Sequence, residues 1–454
     1  MRNPSSFRDP DGYVVIENEN VYRVVNFSYK QDYDHFINSG LYNELVDKKM
    51  IIPFNEEPDK PTNCYKYLKT NYLYPILYPY EWSFSQLKEA ALLTLSIQKI
   101  CLKYDMTLKD ATPYNVQFIN CKPIFIDLLS FEKIKDYQWR PLKQFYQMFF
   151  APLIVFSKID PLLLKLLIID IDGISTSLIN KLLSFKQKLN LNIFINLVLP
   201  NLISKKSKVS NKNLNLKKKN LENLISFLYS STYKIKFNKN SEWKNYNEET
   251  YQEKSDYVND KQNLINKFKK IINFTNEVWD IGANDGRFSR AFSKISKHVF
   301  SFDIDINCVD DNYNFNKVKN IYNVYPVLFD LSNPSPSIGL NNKERTTIEE
   351  RLNSPTLICM FAVIHHLFNK NIPFNEILKF STKTDKYLII EYIPIEDPKC
   401  KLIFESRDEK FLKSYPDEKN FENIFKEKFN LIISGYLGKT KRKLYLYEKN
   451  KTTS

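Results

Sequence analysis

The stretch Val278-Trp-Asp280-Ile-Gly282-Ala-Asn284-Asp-Gly286-Arg-Phe-Ser-Arg290 decides how the second half of the chain is read. The chain holds only 8 glycines in 454 residues, and two of them, Gly282 and Gly286, fall in this one turn. A short apolar run ending in Asp280 precedes the turn. A helix-like start follows it, then a second apolar run, His298–Phe302, closed by Asp303. The order is strand, tight turn, helix, strand, acid. Where glycine is scarce, two in one turn mark a backbone that needs positive φ or lets something approach closely.

The alternation continues outward from there. Apolar runs predict strands at 278–281, 298–302, 323–329, 356–361 and 386–392, with a final pair at 430–435 and 442–447. Helical patterns fall between them, at 258–272, 287–296, 306–318, 344–353, 362–369, 373–382 and 418–427. This α/β pattern predicts a mainly parallel seven-stranded sheet covered on both faces. Such a sheet binds ligands at the carboxyl ends of its strands. Those ends carry Asp280, Asp303, Asp330, the run Phe361–Leu367 with His365 and His366, and Glu391. The turn reads Asp-x-Gly-x-Asn-x-Gly. It is not the Gly-x-Gly-x-x-Gly of pyrophosphate sites, and no Gly-Lys-Ser/Thr follows. Asp285 inside the turn would repel a phosphate. A nucleoside cofactor with a positive charge and no phosphate fits better. Asp303 is placed to bind ribose hydroxyls and Asp330 to accept from an adenine amine.

Taken together, these strand ends resemble the class I S-adenosylmethionine-dependent methyltransferases, over about residues 240–450. The resemblance implies S-adenosyl-L-methionine as cofactor and a Rossmann-like sheet. It implies that Gly282 and Gly286 let the backbone approach the methionine moiety, and that Asp280 holds its ammonium. Asn284 stands where the family usually has glycine, and Thr356 where it often has an acid. The segments Glu81–Lys88, Leu108–Phe118, Phe125–Phe131, Trp139–Gln144, Gly339–Arg351, Ile364–Leu367 and Ile389–Pro394 together resemble the bacterial methyltransferase family that includes the nodulation protein NoeA. That likeness spans nearly the whole chain.

Methyl transfer asks little of side chains beyond alignment, so catalytic residues are hard to read. His365 or His366 would act as base or position the acceptor; the alternative is packing at a helix start. Glu344 and Arg345, with Arg351, would shape an acceptor pocket; the alternative is a solvated helix face. The acceptor's class is open at this level.

The first half reads differently. Residues 13–80 hold short β-like runs at Tyr13–Ile16, Val21–Phe27 and Ile51-Ile52, with a helix over Asp32–Lys48. A long helix follows Ser83, with Ser83 or Ser85 as its N-cap. Next comes a hairpin whose two runs flank Asn120-Cys-Lys122, with Asp110 and Asn115 before it and Asp127 after it. That spacing resembles the catalytic segment of protein kinases and aminoglycoside-type phosphotransferases. The resemblance implies Asp110 orienting a hydroxyl, and Asn115 and Asp127 holding a metal. This chain departs from the pattern at Leu108, where those families carry His, and no glycine-rich phosphate loop precedes it. Residues 141–200 look all-helical. The expected organisation is an N-terminal α+β domain at 1–200, for which a degenerate kinase-like fold is one reading, a basic linker at 201–240, and the methyltransferase domain at 241–454.

Composition bounds the remaining choices. The net charge is +14. Nucleic-acid binding is a possible but not a favoured consequence, because the whole chain is biased toward Lys, Asn and Ile. Ser204–Asn220 carries seven lysines and no acid; a solvated linker is the simpler reading, and attachment to RNA or an anionic surface the other. No apolar run reaches the length of a membrane span. The six scattered cysteines lack metal-ligand spacing and read as free thiols in a reducing cytoplasm. Two further functions stand beside methyl transfer: a bifunctional protein whose N-terminal half transfers phosphate, and a non-catalytic RNA-binding assembly factor.

Overall fold

A computed structural model describes residues 2–17, 19–59, 61–206, 217–237 and 255–451. Residues 207–216 of the lysine-rich run and the aromatics Trp243, Tyr246 and Tyr251 lie outside the described residues. The chain divides into two compact units, Met1–Asn238 with Pro336–Arg351, and Lys239–Ser335 with Leu352–Ser454. Gly339–Arg351, read from sequence as part of the C-terminal domain, therefore belongs with the N-terminal one.

In the N-terminal unit β1 (Gly12–Glu17) and β2 (Asn20–Val25) form an antiparallel pair. Helix α1 (Lys30–Asn38) and helix α2 (Leu41–Asp47) replace the single helix expected over 32–48. The break is Gly40, at φ +88°. Strands β3 (Phe54–Glu56) and β4 (Lys66–Thr70) complete a sheet of order β1-β2-β4-β3. Helix α3 (Phe84–Cys101) starts at Ser83, whose Oγ accepts from Gln86 N while Gln86 Oε1 accepts from Ser83 N. This reciprocal cap selects Ser83 over Ser85.

Strand β5 (Met106–Leu108) pairs with β8 (Phe131–Lys133). Between them β6 (Val116–Ile119) and β7 (Lys122–Phe125) make the expected hairpin. Asn120 and Cys121 sit at φ +52° and +56° in its two-residue turn, which matches the twist of the strands it joins. The helical part at 142–206 is interrupted by wider π-type turns at Tyr146–Phe150, Val155–Ile159 and Phe194–Val198. Residues 201–240, read as a linker, include helix α4 (Lys218–Tyr233), whose Leu221, Ile225 and Leu228 are buried.

The C-terminal unit opens with α5 (Ser255–Ile272) and β9 (Thr275–Ile281). Next come α6 (Arg287–Phe292), β10 (Ser296–Asp303), α7 (Ile306–Lys319) and β11 (Val324–Leu328). Then follow β12 (Leu357–Met360), α8 (Ile364–Asn369), α9 (Phe374–Ser381) and β13 (Tyr387–Tyr392). Two short helices absent from the sequence reading, α10 (Pro398–Ile403) and α11 (Glu409–Lys413), precede α12 (Glu418–Lys426). The chain ends in β14 (Phe429–Tyr436) and β15 (Lys443–Lys449).

The sheet order is β11-β10-β9-β12-β13-β15-β14. The first five strands are parallel; β15 runs antiparallel between β13 and β14. Alternate residues of each strand share one face. Val278, Val299, Leu357, Ile389 and Leu446 belong to one core cluster with Ile265 and Phe268 of α5. Strand order reverses direction between β9 and β12, and an open doubly wound sheet forms its crevice at such a point.

The expected helix over 344–353 is reduced to Ile348–Arg351. Gly339, Asn341 and Asn342 all take positive φ, so the chain turns back and Ile338 N donates to Arg345 O. Arg345 is drawn into an antiparallel bridge with Ile338 across this turn, so residues 344–347 stay out of helix and only Ile348–Arg351 winds.

Gly286 stands at φ +75°, and a Cβ on it would lie 2.2 Å from Asn312 Nδ2 on α7. Gly286→Ala is expected to cost about 1–3 kcal/mol of stability through backbone strain and this clash, read as a lower urea midpoint.

Candidate functional site

The carboxyl ends of the parallel strands surround a cavity of about 430 Å³ in the C-terminal unit. Its wall is built from the turns after β9, β10, β11 and β12, together with Tyr257 and Lys261 of α5 and with Arg442. Asp280, Gly282, Asn284, Asp303, Asp330 and His366 all line it.

The turn after β9 is held from behind. Gly282 N and Ala283 N both donate to Phe302 O, at 2.9 and 3.0 Å. Gly282, at φ +72°, has Val363 Cγ2 2.9 Å from where a Cβ would sit. Both glycines are thus required by the protein's own packing. Asn284 takes φ +52°, a position asparagine tolerates better than most residues. Asp285 Oδ1 accepts from Arg287 N at 3.1 Å, so this acid caps the start of α6. The first N–H of that helix therefore already faces a carboxylate.

Asp280 is fully buried. Its Oδ2 accepts from Ser289 Oγ at 2.5 Å, while Oδ1 has no hydrogen-bond partner among the described residues. Burial pushes its carboxyl up to about 7, against the pull of Ser289 and Lys261. Asp303 accepts from Asn284 N at 2.6 Å and from Asp305 N at 2.8 Å, one on each oxygen. A carboxylate has about four acceptor positions, so both oxygens keep capacity. Burial raises this group to about 6. Asp330 Oδ1 accepts from Ser332 N and Oγ and lies 3.3 Å from Lys370 Nζ. Lys370 and the Ser332 hydrogen bonds hold its carboxyl below the usual range against the effect of burial.

The histidine pair is split by the fold. His366 reaches the cavity, and burial lowers it to about 4, so it is neutral at pH 7. His365 is wholly buried, and neither ring nitrogen has a hydrogen-bond partner among the described residues. Burial pushes it well below the ordinary imidazole value. Ala362, just before this helix, is held at φ +50°, a strained value for a residue with a Cβ.

Glu344 and Arg345 are not among the cavity-lining residues; their partners are in the N-terminal unit. Buried Glu344 accepts from Arg8 Nη2 at 2.6 Å and from Leu340 N at 2.8 Å. Arg345 stacks on Tyr114, 4.1 Å from the ring centre. Arg351 stacks on Tyr78 and pairs with buried Glu81. Three of the stretches quoted for the whole-chain resemblance, around residues 81, 114 and 345–351, thus meet in one cluster.

Asn115 and Asp127 are brought together as well. Asn115 Nδ2 lies 3.4 Å from Asp127 Oδ2, and Ser130 Oγ donates to the same oxygen at 2.8 Å. Arg23 Nη2 pairs with Asp127 Oδ1 at 2.9 Å. Asp110, raised by burial, has a hydrogen bond with Gln144. No group of three or more metal-ligating side chains occurs among the described residues.

Sequence reasoning missed a buried charge network beside the cavity. Lys261 Nζ and Glu391 Oε2 are 2.7 Å apart with both side chains buried. Tyr257 OH donates to Glu391 Oε1 at 2.7 Å. Arg442 grips Asp397 with two hydrogen bonds, at 2.8 and 2.9 Å. The signal for Lys261 was present: it falls on the same helical stripe as Tyr257, Leu264, Ile265 and Phe268, where a cation must be paired to be buried. Nothing local marks Arg442. Because Lys261 would be left buried and unpaired, Glu391→Gln is expected to cost ~3–5 kcal/mol in chemical denaturation.

No family model matches the chain. Among solved structures, the N-methyltransferase NodS from Bradyrhizobium japonicum WM9 aligns over 43% of this chain and 97% of its own, at 10% identity and a TM-score of 0.33. Magnesium protoporphyrin IX methyltransferase (ChlM) from Synechocystis PCC 6803, solved with bound SAM, aligns over 43% of this chain and 83% of its own, at 14% identity and a TM-score of 0.30. In sequence, by contrast, the chain is similar from end to end to the nodulation protein NoeA of Rhizobium meliloti (strain 1021), with 28% identity over 98% of this chain and 95% of the relative.

Proposed function

We propose that the chain is an S-adenosylmethionine-dependent methyltransferase. In this reading the C-terminal unit, a Rossmann-like sheet, is the catalytic domain, and the N-terminal unit is an acceptor-binding or scaffold module. The observation that carries the proposal is Asp280: a fully buried acid on the cavity wall with one oxygen unmatched. An unpaired buried carboxylate oxygen is costly unless a donor meets it, and an ammonium is the donor that best offsets the cost.

The residues present fit the cofactor. Asp280 Oδ1 would accept from the methionine ammonium. Asp303 would take the ribose hydroxyls on its remaining acceptor positions, and Asp330 lies where a base amine would be read. Asp285 on the start of α6 disfavours a phosphorylated nucleoside. When bound, the cofactor supplies an activated methyl group on a sulfonium. The chain's own task is to orient the acceptor, exclude water and remove a proton where the acceptor has one to lose. His366, neutral at pH 7 and on the cavity wall, is the candidate to orient an acceptor N–H or O–H. In the N-terminal unit Arg23 already meets the charge of Asp127, which favours the scaffold reading over phosphate transfer.

Isothermal calorimetry on the full chain tests this. Binding of S-adenosylmethionine is expected, with loss of measurable heat in Asp303→Ala. No heat at millimolar cofactor in the wild type, or undiminished binding by Asp303→Ala, would sink the reading. A pH series adds a second check. Below about 7 the Asp280 carboxyl is protonated and its attraction for an ammonium is lost, so affinity should rise with pH. The expected gain between pH 6 and 8 is about tenfold, and Asp280→Asn should bind weakly without that dependence.

A further inference from the structure

The helical part of the N-terminal unit carries a surface unlike the rest of the molecule. Nine large apolar side chains between Leu178 and Leu202 are exposed, among them Phe185 at 79% and Leu191 at 71%. These are not loose ends of an unformed region. Asn192 Nδ2 donates to Ser231 O, Tyr146 OH donates to Asn196 Oδ1, and Ile193, Leu197 and Val198 are buried. That fixes which side of the helix faces inward. On the other side Leu191, Ile195, Leu199 and Leu202 recur at three- to four-residue spacing, a continuous apolar stripe.

Charge accompanies it. From Gly173 to Leu221 the sequence contains no Asp or Glu, while Lys181, Lys186 and Lys188 stand among the exposed apolar residues. No helix among the described residues is long and apolar enough to cross a membrane. Apolar side chains flanked by lysines, on segments too short to span, suit the boundary between lipid headgroups and acyl chains. A second copy of the chain would bring like charges together with no acid in the patch to offset them. RNA prefers aromatic platforms for its bases, and most of this stripe is aliphatic.

We propose that residues 174–202 form a membrane-docking surface that rests on a bilayer rich in anionic phospholipid, with the apolar side chains inserted and the lysines against the headgroups. This surface stands independently of the cofactor site.

Vesicle flotation with the full-length protein tests it. The protein should float with phosphatidylcholine vesicles containing roughly one-third phosphatidylglycerol and far less with phosphatidylcholine alone. Phe185→Ser with Leu191→Ser should weaken binding at least about tenfold, since both side chains lose their burial. Replacing Lys181, Lys186 and Lys188 by Gln should remove the anionic preference, by about fivefold per charge. All changed positions lie on the surface, so unchanged thermal midpoints are expected. The proposal is overturned if wild type fails to float with anionic vesicles, or if Phe185→Ser/Leu191→Ser floats as well as wild type. It is equally overturned if the apolar variant instead dissolves a dimer, or if RNA binding accounts for the lysines while vesicles are ignored.

Discussion

The site depends on one constraint: the turn from Gly282 to Gly286 has no room for side chains at either end. Val363 closes on one glycine and Asn312 on the other, so the turn is wedged between the start of α8 and the middle of α7. Phe302 O accepts two successive N–H groups from the same turn and ties it to β10. Three parallel strands, β9, β10 and β12, are thereby locked in register at their carboxyl ends. Asp280 and Asp303 sit on those ends. A change in the turn would therefore displace Asp280, Asp303 and the segment 361–367 together.

Around that constraint the unit arranges its charges in two ways. Lys261, Glu391, Arg442 and Asp397 are matched against one another within hydrogen-bonding distance, which makes that wall of the cavity a rigid polar frame. Asp280 is not matched in the same way. It is equally buried but keeps an open oxygen, and burial raises its carboxyl to about 7. The same wall thus holds a satisfied network beside an acid whose second oxygen has no partner among the described residues.

Much of this was legible in the sequence because it is local. The strand-turn-helix at 278–290, the acids at strand ends, the Ser83 cap and the 116–125 hairpin all rest on short-range chemistry: left-handed residues, alternation and capping. The expected helix at 344–353 was cut short because Arg345 bridges back to Ile338 across the Gly339–Asn342 turn, and only the turn residues themselves were legible. The split between His365 and His366 was not legible. The two residues are adjacent, and only the burial of one helix face places one in the core and the other on the cavity.

By itself, the chain's order of residues determined a doubly wound sheet, the place of its crevice and the acids that face it, because each strand end is specified by its own few residues. Tertiary structure alone decided that Gly339–Arg351 packs with the N-terminal unit through Arg8, Tyr78, Glu81 and Tyr114. It also decided that Lys261 meets Glu391 and that Asp127 meets Arg23. These are pairings between residues about a hundred or more positions apart. No local pattern encodes such a partner; it is chosen by which buried charge finds its counter-charge when the chain closes on itself.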